Sequence, residues 1–178
     1  FFGAMENWGA IMYFEPYLLV DPRLSSESDR QLVFAIVAHE VAHQWWYGGV
    51  GNDQIHEGWL DESLAMWSEL LYYERFHPES VAWWWQFRVD RWQPTGPVNA
   101  SIYDYPSSET YVHNMYGRAA YFIQELHAIM GDEPFWAFLR DYYGRYQHNF
   151  SHSDAFFATA QARTDTDLTP LKQKYFQE

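Results

Sequence analysis

The sequence contains no cysteine, which excludes both a disulfide framework and a thiolate metal site. Positive charge is scarce as well. Eleven Lys and Arg stand against 24 Asp and Glu, a formal net charge of -13, so there is no electrostatic footprint for a phosphate backbone or an anionic membrane. We therefore expect no nucleic-acid partner. Long hydrophobic runs are missing too: the apolar stretch at Val33 to Ala38 is far too short to cross a bilayer, and no charged-then-apolar leader opens the chain. No membrane contact by this domain is expected. Internal repeats, low-complexity tracts and blocks of five or more like charges are also absent. Phe1 in place of Met leads us to expect a piece of a longer protein whose targeting information lies outside it.

What the chain has in abundance is aromatic surface. With 10 Trp, 14 Tyr and 13 Phe in 178 residues, it can build a sizeable core, and we expect one compact domain over residues 1–178. The acidity most simply serves solubility, although a negative field also attracts cationic ligands such as peptides with a free amino terminus.

Residues 9–20, with β-branched, aromatic and apolar side chains around Pro16, read as a short strand or hairpin, followed by a turn at Asp21-Pro22. Apolar positions 33, 34, 37, 41 and 45 follow helical spacing and predict a long helix over about 27–47, capped by Ser25, Ser26 or Ser28 and stopped by Gly48-Gly49. A loop over 48–58 and a helix over 59–76 follow, then a helix over 79–92 and an irregular connection over 93–110. Further helices are predicted at about 112–130, 133–147, 152–163 and 168–177. The fold class is mainly α with a small β element at the amino end. Three adjacent tryptophans, Trp83 to Trp85, point in different directions on a helix and are expected to pack rather than to bind a ligand.

The chemistry concentrates in His39-Glu40-Val41-Ala42-His43. On a helix, two imidazoles four residues apart lie about 40° from one another around the axis and can reach a single ion. Neutral imidazole suits zinc, and two His plus one carboxylate leave a fourth position where water is acidified. Glu40, beside the first His, is then placed to act as the base. A third ligand must come from elsewhere, and Glu62, early in the next helix with 18 residues between it and His43, supplies it across a helix-loop-helix hairpin. The competing reading is that His39 and His43 are satisfied core residues. His56, His77, His113, His127, His148 and His152 show no ligand spacing and are expected at the surface or at caps.

Taken together, Gly3-Ala4-Met5-Glu6-Asn7-Trp8-Gly9, His39-Glu40-Val41-Ala42-His43-Gln44-Trp45 and Trp59-Leu60-Asp61-Glu62-Ser63-Leu64-Ala65 resemble the M1 family of zinc aminopeptidases, a gluzincin group. Tyr116-Gly117-Arg118, followed by a helix to Gly131, is similar to the family's catalytic-tyrosine segment, so the resemblance covers nearly the whole chain.

The resemblance implies a thermolysin-like catalytic domain holding one Zn(2+) per chain through His39, His43 and Glu62, with Glu40 as general base toward zinc-bound water. It further implies that Glu6 binds the substrate's free α-amino group, that the Gly3-Ala4-Met5 backbone and the adjoining Asn7 line the peptide, and that Tyr116 stabilises the oxyanion. Tyr111 and Tyr121 lie nearby, and Ala119 stands where the family often has Gly. Family members carry a β domain before this region and a helical domain after it, so other domains of the same parent chain are expected partners. Two further readings stand beside the peptidase: an epoxide-hydrolysing relative using the same zinc site, and a non-catalytic scaffold exposing aromatic surface.

Overall fold

The computed structural model describes residues 3–21 and 23–177. Phe1, Phe2, Pro22 and Glu178 lie outside the described residues, and with Pro22 goes part of the expected Asp21-Pro22 turn. The architecture is mostly helical with one two-stranded sheet, as the composition and periodicity predict.

The sheet pairs β1 (Ala4–Met5) antiparallel with β2 (Met12–Tyr13), in the register Ala4 to Tyr13 and Met5 to Met12. The strand or hairpin expected within 9–20 contains only β2; β1 lies earlier, and Pro16 instead opens a one-turn helix, α1 (Glu15–Leu18). Proline suits the first turn of a helix because the N–H it lacks has no partner there.

Helix α2 (Glu27–Ala42) starts at Ser26, whose hydroxyl accepts from the Asp29 N–H while the Asp29 carboxylate accepts from the Ser26 N–H, a reciprocal cap. Its buried positions Gln31, Ala35 and His39 recur every four residues and form the stripe that meets α3 (Trp59–Phe76). The helix ends five residues earlier than its apolar spacing predicts. From His43 the chain turns, Tyr47 adopts a φ of 103°, and the Gly48 N–H bonds the His43 carbonyl at 2.9 Å. A Cβ on Gly48 would stand 2.7 Å from Trp8, and one on Gly49 2.6 Å from Tyr143, so close approach rather than backbone angle demands glycine here.

Helix α3 runs through the centre of the molecule, with two thirds of its residues buried. The Tyr73 hydroxyl donates to the Gln31 carbonyl at 2.5 Å and fixes α3 against α2. Trp59 at its start is fully buried, with Phe176, Phe156 and Phe122 centred 4.7, 5.1 and 5.8 Å away, a cluster closing the core beneath the site.

The helix predicted over 79–92 is broken into four pieces: a 3-10 turn (Pro78–Ser80), α4 (Val81–Trp84), a π segment (Trp85–Val89) and a second 3-10 turn (Asp90–Trp92). The connection after it is irregular to Ser107, which caps α5 (Ser108–Val112) through a bond from the Thr110 N–H. A second π segment, His113–Arg118, joins α5 to α6 (Ala119–Met130). Helices α7 (Asp132–Tyr146), α8 (Ser153–Gln161) and α9 (Thr169–Tyr175) complete the fold close to the predicted bounds.

Candidate metal centre

The facing surfaces of α2 and α3 bring three of the predicted groups together. His39 Nε2 lies 3.0 Å from Glu62 Oε2 and 3.1 Å from His43 Nε2, and His43 Nε2 lies 3.4 Å from the same carboxylate oxygen. All three residues are buried, and their donor atoms lie within 4.8 Å of one another. Ligands held 2.0 to 2.1 Å from a tetrahedral metal stand about 3.3 Å apart, so these separations are those of one triangular face of such a site.

The other ring nitrogens explain why the two Nε2 atoms face each other. His39 Nδ1 lies 2.8 Å from Glu69 Oε1, and His43 Nδ1 lies 3.0 Å from the Trp46 carbonyl, a better partner than the Asp61 carboxylate at 3.7 Å. With each Nδ1 directed at an oxygen acceptor, each ring in its neutral form presents an Nε2 lone pair to the space beside Glu62, as a metal ligand does. Two Nε2 atoms 3.1 Å apart beside a carboxylate call for a positive charge between them, a proton or a metal ion, and the residues present fit a metal ion there.

Behind His39 sits a feature the sequence reading missed. Glu69 is fully buried and accepts four bonds, from His39 Nδ1, Trp84 Nε1 at 2.9 Å, and Arg88 Nε and a terminal nitrogen at 2.9 and 2.6 Å. Burial alone would raise its pKa, yet Arg88 and His39 together hold it below the usual carboxylate range. The available signal was spacing: Glu69 follows Glu62 by seven residues, two helical turns along the same face. Trp84 packs in the core as expected and also serves this carboxylate, which a reading of it as packing alone does not capture.

Electrostatics follow the same cluster. Burial opposes a charge on His39, but Glu62 and Glu69 outweigh it and push the imidazole up to about 10. Burial likewise disfavours the Glu62 carboxylate, and the two histidines still hold it far below its ordinary range. With the Glu62 carboxylate beside the imidazoles and Glu69 behind His39, the cluster stabilises a positive charge between the rings. Glu40 is 7% exposed, and its Oε2 has no hydrogen-bond partner among the described residues. Burial raises its pKa, His39 and His43 pull it back, and Glu6 and Glu62 raise it further.

Tyr116 reaches the centre from the second π segment. Its hydroxyl donates to Glu62 Oε1 at 2.5 Å, and its ring stacks on His39 with centroids 5.6 Å apart. Burial and the neighbouring Glu62 raise its pKa well above the ordinary tyrosine value, so it remains a donor. In a straight α-helix, residues five apart fall about 140° apart, but i to i+5 bonding nearly aligns them. This brings Tyr111 onto the same side, 6.0 Å from Tyr116, whereas Tyr121 turns away to bond Asp90.

A cleft of about 900 Å³ opens onto the centre, lined by His39, His43, Glu40, Glu62 and Tyr116 on one side and by Gly3, Ala4, Met5 and Glu6 of the hairpin on another. Asn7 is not among the lining residues; its carbonyl faces Gln44 Nε2 at 3.5 Å. Gln54, which the sequence reading left in a loop, donates to Glu6 Oε1 at 2.7 Å and to Asp61 Oδ2 at 3.1 Å, linking the hairpin to α3. Asp61, also bonded by Asn52, is pushed up to about 7 by burial and by Glu62 beside it. Nothing in the sequence pattern marks Gln54, because its partners are 48 and 7 residues away. Among the described residues, no other histidine joins the cluster: His56 pairs with Asp53, His77 stacks on Phe34, His113 on Trp92, and His127 bonds Asp132.

Two buried histidines from one helix and its end, a glutamate on the next and a carboxylate behind the first histidine form a candidate metal centre of the kind used by metallopeptidases. The profile of the Peptidase family M1 domain matches residues 1–175, and the chain belongs to that family, which is zinc-dependent. Among its relatives, rice (Oryza sativa subsp. japonica) Aminopeptidase M1-B is 32% identical over 180 residues, covering 95% of this chain and 20% of the relative. Aminopeptidase N of Lactobacillus helveticus is 25% identical over 189 residues, with 99% and 22% covered. Human endoplasmic reticulum aminopeptidase 2 is 46% identical over 77 residues, with 43% and 8% covered. The chain thus spans about a fifth of the length of the first two relatives. Among the described residues, no helix is long and apolar enough to cross a membrane.

Proposed function

We propose that this chain is a single, thermolysin-like catalytic domain of an aminopeptidase, binding one zinc ion through His39, His43 and Glu62 and cleaving the amino-terminal peptide bond of its substrates. The observation that carries this reading is the convergence of His39 Nε2, His43 Nε2 and Glu62 Oε2 at 3.0 to 3.4 Å on the wall of an open cleft. When bound, zinc would polarise the scissile carbonyl and acidify a water molecule. Glu40, with a free carboxylate oxygen and a raised pKa, takes the proton from the attacking water and returns it to the leaving amine. Tyr116 exchanges its bond to Glu62 for one to the developing oxyanion, where a neutral donor stabilises charge.

At the hairpin, the Glu6 carboxylate holds the substrate's ammonium group, which confines cleavage to the first residue. In a two-stranded sheet β1 keeps one edge unpaired, and the Gly3-Ala4-Met5 backbone that lines the cleft can bond an extended peptide there. Asn7 supports this segment from outside the cleft lining. The greater length of the relatives supports further domains of the same parent chain as partners.

Elemental analysis of the purified protein tests the reading, with Glu62→Ala and His43→Ala alongside. About one zinc per chain, lost in both variants, together with hydrolysis of free but not amino-blocked aminoacyl substrates, is the expected result. A well-folded chain that takes up no supplied zinc would overturn the hydrolase and leave the scaffold.

A further inference from the structure

Two arginines, Arg88 and Arg91, line the cleft, and they differ in what they pair with. Arg88 is neutralised by the buried Glu69 through two hydrogen bonds. Arg91, one turn further on in the 3-10 segment Asp90–Trp92, has no carboxylate partner and no hydrogen-bond acceptor among the described residues. In a chain with 24 acidic side chains against 11 basic ones, an arginine left without an acid in a ligand-sized cleft stands out.

Aromatic rings hold it in place instead. Its guanidinium carbon lies 3.8 Å from the Phe87 ring centre and 4.0 Å from that of Trp92. Phe87 is itself stacked on Trp83 at 4.8 Å, and Trp92 on His113 at 4.6 Å, so the platform is braced from behind. Stacking uses the faces of a guanidinium and leaves its N–H edge free, and that planar fork matches the two oxygens of a carboxylate. Burial and the neighbouring Arg88 lower the Arg91 pKa, the mark of a positive charge that nothing nearby balances.

We propose that Arg91 is a subsite for a substrate carboxylate. Resting on the peptidase reading above, this gives the cleft two opposite poles, Glu6 for the amine and Arg91 for an acid. The carboxylate is either the free C-terminus of a short peptide or an acidic side chain.

Binding calorimetry on the zinc-supplied Glu40→Gln protein, which does not consume its ligand, tests the proposal in two arms. One compares tri- and tetra-alanine as free acids and as C-terminal amides; the other compares Ala-Glu-Ala amide with Ala-Gln-Ala amide. The carboxylate form binds at least about tenfold tighter in one arm, which identifies the source. Adding Arg91→Gln erases that preference, and Arg91→Lys, which keeps the charge but not the fork, retains part of it. Equal affinities in both arms, no binding of any peptide, or a preference that survives Arg91→Gln would each overturn the subsite. Turnover of the same peptides by the wild-type protein is read separately: selective binding without cleavage sinks the aminopeptidase and keeps the subsite, while cleavage without selectivity sinks the subsite alone.

Discussion

Across the cleft, two walls of very different construction face each other. Helices α2 and α3 present His39, His43, Glu62 and, behind them, Glu69, all buried and each with multiple partners. The opposite hairpin has strands of two residues, exposes Trp8 and Met12, and is tied down by isolated bonds: the Gly9 N–H to Gln44 Oε1 at 2.8 Å and Gln54 Nε2 to Glu6 Oε1 at 2.7 Å. A charge that must keep its position to a fraction of an ångström is built where removing a partner is costly. A backbone edge that must accept and release a peptide is built where a few side-chain bonds suffice. The two walls should therefore fail differently when mutated.

The largest effect is expected in the helical wall. Glu62→Ala should lose the metal and reduce hydrolysis by on the order of a thousandfold or more, checked by zinc content and aminoacyl-anilide turnover. Glu40→Gln should lose comparable activity while keeping its zinc; a variant that loses both would make Glu40 a ligand or a structural residue instead. Glu69→Ala comes next. It leaves the partly buried Arg88 without its carboxylate, and breaking such a pair costs up to about 3–5 kcal/mol, so thermal unfolding should begin on the order of 10 °C lower. Zinc affinity should also fall, by about 10- to 100-fold, because His39 loses the acceptor that sets its tautomer.

Changes in the hairpin wall should be milder and should appear in substrate binding. Glu6→Gln is expected to raise KM for free-amine substrates by about 10- to 100-fold with little loss of stability. A large fall in melting temperature would contradict the division between walls. The smallest effect belongs to Gln54→Leu, which leaves the Glu6 carboxylate in place but unguided. A rise in KM of about a few-fold, with zinc content unchanged, is expected from the loss of one hydrogen bond to a charged group.

Much of the helical wall was legible in the sequence because its information is local. The spacing of His39 and His43 fixes their common face, and the serines at 25, 26 and 28 bracket where α2 begins, with Ser26 the one that caps it. The end of α2 was not legible. Apolar spacing continues through Trp45, but the His43 ring bonds the Trp46 carbonyl and the chain turns there, which no periodicity reports. The helix predicted over 79–92 failed for a related reason. Its side-chain pattern is helical, yet Trp83, Trp84 and Arg88 each answer to distant partners, Ser28 and Glu69, and the backbone passes through a π segment among them.

By itself, the sequence determined the helical class, the two histidines on one helix face and the choice of Glu40 and Glu62 as candidate carboxylates, since each follows from residue type and short-range spacing. Only the tertiary structure decided which groups complete the site. Glu69 is one acid among 24 until Arg88, Trp84 and His39 close around it, and Gln54 is a loop residue until Glu6 arrives from 48 positions away. Arg91 likewise is one arginine among several until the fold places it in the cleft with Phe87 and Trp92 at its faces and, among the described residues, no acid at its edge. The physical reason is common to all three: burial and pairing are properties of the neighbours a side chain meets, and those neighbours come from distant parts of the chain.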